Sequence, residues 1–465
     1  MSFSLSEFSN DMNIDFTPYF AKPGPQAFTS RHATMPWRSS VPVAKEDIPN
    51  TWSQLITTLD RAAKPRKRLV YIHIPFCETH CTFCGFYQNK YVSTAADRYA
   101  QALIQEIKME AQSPLHQSAP IHAVYFGGGT PTALNASDLA NIVKTLREEL
   151  PLAPDCEITI EGRVLNFTDD KISSCIDAGV NRFSLGIQTF DSNIRKRLSR
   201  TSTGDEAQTF LRKLVETEQA AIVCDLLFGL PNQSLESWQR DLDIAHDIGL
   251  DGVDLYALNV LPNTILGKAA ANNRVDIPTP AQCRDLYLHG SKYLDQLGWH
   301  TISNSHFART TRERNLYNLL IKEGADCLAF GSCSGGSING YSYMVERNLE
   351  SYFAQIENQQ KPLMMMMRST DGAYQWRHDL QSGVEKGRIP LDELTPNANQ
   401  LLPLLSQWHQ CGITQSDSTC VRLTNEGRFW ASNILKTFQE LILKLSEIDA
   451  SSDSVTLPQA VVHTE

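Results

Sequence analysis

Two hydrophobic periods alternate along the middle of the chain. Short β-rich apolar runs lie at Leu69 to Ile74, Ile121 to Phe126, Glu157 to Glu161, Arg182 to Leu185, Ala221 to Leu227 and Gly252 to Leu258. Between them, apolar positions recur at helical spacing near Ala95 to Glu110, Ala136 to Glu149, Thr168 to Ala178, Gly204 to Glu218 and Leu235 to Ile248. Strands separated by helices of this length predict an α/β chain with a parallel sheet and crossover helices. About six βα units in a row predict a full or partial TIM-type barrel, with its chemistry at the carboxyl ends of the strands.

The flanks read differently. Residues up to about 66 are polar and turn-rich, with Lys22-Pro23-Gly24-Pro25 and the basic run Lys64 to Arg68, and predict a lead-in wrapped on the main domain with one short helix near Thr51 to Ala62. Five segments follow: an N-terminal extension (1–66), a core barrel (67–265), a barrel-completing and substrate-site region (266–370), a mostly helical C-terminal region (371–445) with helices at Leu391 to Leu405 and Glu426 to Leu445, and a flexible tail (446–465).

Composition narrows the class. The chain has 465 residues, 42 Lys+Arg against 52 Asp+Glu and a formal charge of -10, which argues against a nucleic-acid partner. No run approaches the roughly 18 apolar residues of a membrane span, and the N-terminus lacks the pattern of a secretory signal. Eleven cysteines, an odd number and mostly scattered, fit a reducing cytoplasmic compartment better than a disulfide framework.

Three cysteines are not scattered. Cys77, Cys81 and Cys84 stand at C-x3-C-x2-C directly after the first predicted strand. Three thiolates on one loop can face one metal centre: an iron-sulfur cluster with one iron left open, or a structural zinc that borrows His73 or His80. Gly127-Gly128-Gly129-Thr130 closes the next strand, where absent side chains allow close backbone approach to a ligand or simply a tight turn. Later strands end at Glu161, at Ser184 to Gln188 and at Asp225, where polar residues can serve an active site or cap the following helix.

The series YIHIPFCETHCTFC, GGGTPT, the strand-end glutamate, SLGIQTF and DLLFGLP, spanning about Arg68 to Pro262, resembles the radical S-adenosylmethionine (SAM) superfamily, in the branch containing oxygen-independent coproporphyrinogen III dehydrogenase. The resemblance implies a partial (β/α)6 barrel and a [4Fe-4S] cluster on Cys77, Cys81 and Cys84, whose open iron chelates SAM and reductively cleaves it. It implies a first SAM site lined by Tyr71, Phe83, Gly128, Gly129 and Thr130. A second SAM would sit beside it, near Glu161, Gln188, Arg200, Asp225 and Ala257. Arg200 reads equally as a helix-surface arginine.

The chain departs from the dehydrogenase pattern at Phe86, where that pattern has a further cysteine, and from the haem-chaperone pattern at Arg314 to Asn318. What remains is similar to the anaerobic haem-degrading radical SAM methyltransferases. That resemblance implies a haem or porphyrin substrate, a flavodoxin- or ferredoxin-type electron donor, transfer of a SAM-derived methyl carbon, and release of iron with a linear tetrapyrrole. Coproporphyrinogen dehydrogenation, and haem binding or trafficking without turnover, are the rival readings. For the haem site the sequence offers His306 as an iron contact, Arg309 for a propionate and Met366, in the run Met364 to Met367, as a floor. A satisfied, partly buried histidine and a Met-rich core strand or helix are the plainer alternatives. Because an anionic porphyrin needs a local basic patch, the cluster Arg309, Arg312 and Arg314 is where the site is expected.

Overall fold

The computed structural model describes residues 15–31, 40–58, 67–369, 374–390, 398–417 and 419–452. The chain divides into two compact units, Trp37–Gln375 and Met1–Pro36 with Trp376–Glu465.

The larger unit is built on the βα alternation. Its parallel strands are β1 (Arg68–Ile74), β2 (Ile121–Gly128), β3 (Leu152–Gly162), β4 (Arg182–Gln188), β5 (Ala221–Phe228) and β6 (Gly252–Ala257), hydrogen-bonded in that order. Each of these residues' neighbours is covered by crossover helices, so the strands read as near-continuous apolar runs: Leu69, Val70, Ile72 and Ile74 of β1 are all buried. The helices start and stop on local signals. Gly204–Val215 and Leu235–Ile248 open on capping boxes at Thr203 and Ser234, and the latter ends on Gly249, whose φ of 88° is the left-handed conformation that glycine tolerates.

The sheet does not close on itself. Beyond β6 it adds antiparallel β7 (His306–Ala308) and His300–Thr301; beyond β1 it adds parallel β8 (Asp326–Phe330), then antiparallel β9 (Gly335–Ile338), β10 (Tyr341–Val345), β11 (Leu363–Ser369) and Ser40–Pro42. The six-unit partial barrel is therefore as expected, inside a thirteen-stranded mixed sheet.

The smaller unit is mostly helical, as expected, and adds a small sheet. Helices Leu402–Gln410, Asn425–Phe429 and Ala431–Ser452 pack with a three-stranded antiparallel sheet of Arg388–Pro390, Cys420–Leu423 and Thr414–Ser416. The last helix runs past Ser446, where a tail was expected; residues 453–465, and the expected helical start at 391–397, lie outside the described residues. The lead-in is split. Trp52, in the helix Ile48–Thr57, donates to Glu110 within the larger unit. Residues 15–31 instead join the smaller one, where Trp408 Nε1 donates to the Tyr19 carbonyl at 3.1 Å and Asn433 Nδ2 to that of Ser30 at 2.8 Å. Among the described residues no helix is long and apolar enough to cross a membrane.

Candidate active site

At the carboxyl end of β1 the chain turns through Pro75 into Phe76–Cys77, which pairs in parallel with Asn89–Lys90 and so closes a loop carrying Cys81 and Cys84. Thr82 anchors this loop on two sides: its N–H donates to the Leu198 carbonyl at 3.3 Å, and its own carbonyl accepts from Leu266 N–H at 2.8 Å. Cys77 and Cys81 are buried and Cys84 half-buried, all as free thiols. Burial pushes the Cys77 thiol up, while a hydrogen bond from Thr130 Oγ1 at 3.4 Å and the nearby Arg163 guanidinium favour the thiolate. The Phe86 N–H lies 3.3 Å from Cys84 Sγ.

The three sulfurs line one cleft, yet among the described residues no three His, Cys, Asp or Glu side chains converge to hold a single ion. Neither candidate zinc partner, His73 or His80, joins the three cysteines in the cleft lining. His80 stacks on Tyr87 at 4.2 Å, and His73 Nδ1 faces Tyr71 OH at 3.0 Å. Sulfurs spread around a cleft fit a multi-iron cluster, in which each thiolate takes a different iron, better than a tetrahedral single-ion site.

The triple glycine serves the protein's own packing first. A methyl on Gly129 would lie 2.6 Å from the Phe76 carbonyl oxygen and 2.9 Å from that of Ile74, to which the Gly129 N–H donates at 2.8 Å. Gly128 has φ 108°, and its N–H faces the Glu161 carboxylate. The glycines thus let the strand carrying Cys77 lie directly on the end of β2.

The next strands complete the cleft. Burial raises the Glu161 carboxyl, against the Tyr125 hydroxyl, which donates to Oε1 at 2.6 Å. Asp225 Oδ1 is 3.5 Å from Ser184 Oγ. Gln188 ends β4 with φ 73°, and Gly186 lets its side chain and that of Arg200 fold close over the backbone. Arg200 is not a surface arginine: Nη2 donates to the Gly186 carbonyl at 2.7 Å, Nε is shielded and without a partner, and burial lowers the guanidinium to about 10. The empty volume, including open solvent at the mouth, is ≈ 670 Å³.

Cys77, Cys81, Cys84, Phe83, Gly129, Thr130, Glu161, Gln188, Arg200 and Asp225 are brought together around this cleft. Tyr71 and Gly128 stand behind it, against His73 and Glu161, and Ala257 closes β6 outside the lining. Ser184, expected only as part of a polar strand end, and Arg163, which the sequence reading missed, also line it. Both had a signal: Arg163 is two residues past strand-end Glu161, and Ser184 lies one strand period before Gly186 on the same face.

The three haem candidates are not brought here. His306 is fully buried, with Nδ1 2.9 Å from Asp254 Oδ2 and Nε2 2.9 Å from Glu313 Oε1, at ion-pair distance although its N–H directions miss both oxygens. Both ring nitrogens therefore face carboxylates, and neither is open to iron. Met366 is buried, paired with Tyr343 between β10 and β11. Arg309 donates to the His246 carbonyl, Arg312 pairs with Asp251 and Arg314 with Asp155. Because β7 runs antiparallel to β6, with Ala308 opposite Gly252, these arginines lie at the amino ends of the parallel strands, opposite the cleft. The expected basic patch is there, but Arg312 and Arg314 are already paired with carboxylates and Arg309 with a backbone carbonyl.

Comparison with known proteins agrees with this geometry. The Radical SAM superfamily model matches residues 71–245. Anaerobilin synthase of Escherichia coli O157:H7 is 64% identical over 433 residues, covering 93% of this chain and 97% of that protein. The oxygen-independent coproporphyrinogen III oxidase of Escherichia coli K12 is 27% identical over 425 residues, 87% of this chain and 92% of that protein. The solved coproporphyrinogen III oxidase (HemN) of Escherichia coli has the same fold, with a TM-score of 0.72 at 24% identity, covering 88% of this chain and 96% of that one. The chain belongs to the radical SAM superfamily.

Proposed function

We propose that this radical SAM enzyme opens the haem macrocycle without oxygen, transferring a SAM-derived methyl carbon to the porphyrin and releasing iron and a linear tetrapyrrole. The substrate reading is carried by the 64% identity to anaerobilin synthase over nearly the whole of both chains, against 27% for the coproporphyrinogen oxidase. Phe86 also speaks for it, since an exposed phenyl ring stands where the dehydrogenase pattern has a cysteine.

The superfamily takes a [4Fe-4S] cluster and SAM. On this reading Cys77, Cys81 and Cys84 hold the cluster, with Thr130 and Arg163 favouring the thiolate of Cys77. When bound, the cluster supplies the electron that cleaves SAM and starts the radical reaction. Phe83, Gly129 and Thr130 line a first SAM position, with Tyr71 and Gly128 supporting it from behind. A second shares Glu161, Gln188, Arg200 and Asp225, with Ala257 at the adjoining end of β6. Arg200, with its shielded and unpartnered Nε, can take a methionine carboxylate, and Glu161 and Asp225 suit ribose hydroxyls or cationic groups. A primary radical attacks any nearby C–H bond, so the enclosing strand ends must keep water out and hold the target in contact. A flavodoxin- or ferredoxin-type protein is the electron donor.

The test is anaerobic incubation of cluster-reconstituted protein with haem, SAM and a reductant. Loss of the Soret band with formation of a methylated linear tetrapyrrole supports the reading. SAM cleavage with haem left intact, or conversion of coproporphyrinogen propionates to vinyl groups, overturns it.

A further inference from the structure

Below the cleft the barrel lumen is charged rather than apolar. Asp225 on β5, Asp254 on β6 and His306 on β7 lie directly opposite one another in the strand registers and so share one face of the sheet. His306 reaches on to Glu313, and Arg182 Nε clamps both oxygens of Glu313, at 3.2 and 2.9 Å. Gly252 leaves the space, since a methyl there would lie 2.8 Å from Glu313 Cγ and 3.2 Å from His306 Nε2. All four residues of this chain, Asp254, His306, Glu313 and Arg182, are buried.

The charges do not balance at the upper end. Arg182 answers Glu313, His306 answers Asp254, and Glu157 lies 3.9 Å from Arg314 at the amino-end rim. Glu161 has the Tyr125 hydroxyl and the Gly128 N–H. Among the described residues Asp225 has Ser184 at 3.5 Å as its hydrogen-bond partner, and Arg200, which lines the same cleft, has Nη2 engaged with the Gly186 carbonyl. Two neighbouring buried carboxylates do not both stay ionised without a cation between them.

We propose that buried Asp254, held in place by His306, Glu313 and Arg182, keeps a proton on Asp225 until a cationic ligand group enters the cleft and displaces it. The ligand chemistry is a sulfonium or ammonium, both of which SAM carries, so the proposal rests on the reading of Asp225 as a SAM contact. Burial, then Asp254, then Glu161 hold the Asp225 carboxyl well above the ordinary carboxylate range, while Arg182 and His306 act the other way. Burial pulls the His306 imidazole down, but Asp254 and Glu313 outweigh it and hold it protonated, up to about 9. The balance is simple: one positive charge enters, one proton leaves the Asp225 carboxyl for the buffer, and the lumen charge is unchanged.

The test is calorimetric titration of cluster-reconstituted, unreduced protein with SAM in two buffers of different ionisation enthalpy, repeated between pH 6 and 8. The proposal expects close to one proton released per SAM bound at this site, with affinity tightening up to about tenfold per pH unit. Asp254→Asn removes the like charge beside Asp225, so release should fall towards zero and the pH dependence flatten while SAM still binds. Wild-type binding with no proton release overturns the proposal, with no variant needed; so does Asp254→Asn releasing as many protons as wild type. Asp225→Asn separates the underlying reading: if it binds SAM with wild-type stoichiometry and affinity, Asp225 is not a SAM contact, whatever the proton count.

Discussion

Replacing Gly129 by alanine tests the link between glycine packing and cluster binding. The added methyl would stand 2.6 Å from the Phe76 carbonyl oxygen and 2.9 Å from both the Ile74 oxygen and the Phe76 carbonyl carbon. All three are backbone atoms, so no side chain can swing aside. Relief requires moving the Phe76–Cys77 strand off the end of β2, and overpacking of this kind costs about 1–3 kcal/mol. The Gly129 N–H to Ile74 carbonyl bond, 2.8 Å long, stretches with it and adds about 0.5–1.5 kcal/mol. The expected loss is about 2–4 kcal/mol in urea unfolding, with iron and sulfide per chain after reconstitution well below wild type, because Cys77 moves with the strand. Gly335→Ala is the control: its methyl would meet only the Tyr343 carbonyl oxygen, at 3.7 Å, and both readouts should stay near wild type. Wild-type stability and full cluster loading in Gly129→Ala would refute the reasoning.

Other perturbations have expected outcomes of their own. Cys81→Ala should abolish both the cluster's visible absorbance and reductive SAM cleavage; haem loss that persists in this variant would rule out a radical route. Glu313→Gln leaves Arg182 and His306 without their shared carboxylate, and breaking a buried pair in this way should cost about 3–5 kcal/mol in urea unfolding. The wild type should lose stability as pH rises towards about 9, because His306 is held protonated above its ordinary value: its contribution is full below the unfolded value of about 6.5 and is lost as the folded group titrates. His306→Gln should flatten that alkaline limb in unfolding experiments between pH 6 and 10. Arg200→Lys keeps the charge but loses the fork, and should weaken SAM binding about tenfold or more with little change in stability.

The parallel core was legible because its strands are buried on both faces and its crossover helices carry their own caps, so local pattern and tertiary role coincide. The cleft was legible for a related reason: its polar side chains stand at strand ends, where the apolar runs stop. The strand around Gly335 was not, and the run of four methionines left strand and helix open, since neither segment has the alternation that marks a half-buried strand. Nor was the pairing of residues 15–31 with Gln407 and Asn433, roughly 400 positions away. His306 shows the same limit at a single side chain. Beside Arg309 it reads as a ligand for an anionic porphyrin, and only the register of β7 against β6 puts Asp254 next to it.

The central claim is tested most directly by mass spectrometry of the tetrapyrrole formed when reconstituted protein, haem, SAM and a reductant are combined without oxygen. The account predicts a linear tetrapyrrole free of iron and carrying one additional SAM-derived carbon, labelled when the SAM methyl group is labelled. Recovery of intact haem alongside 5′-deoxyadenosine, or an opened product without the label, would contradict it.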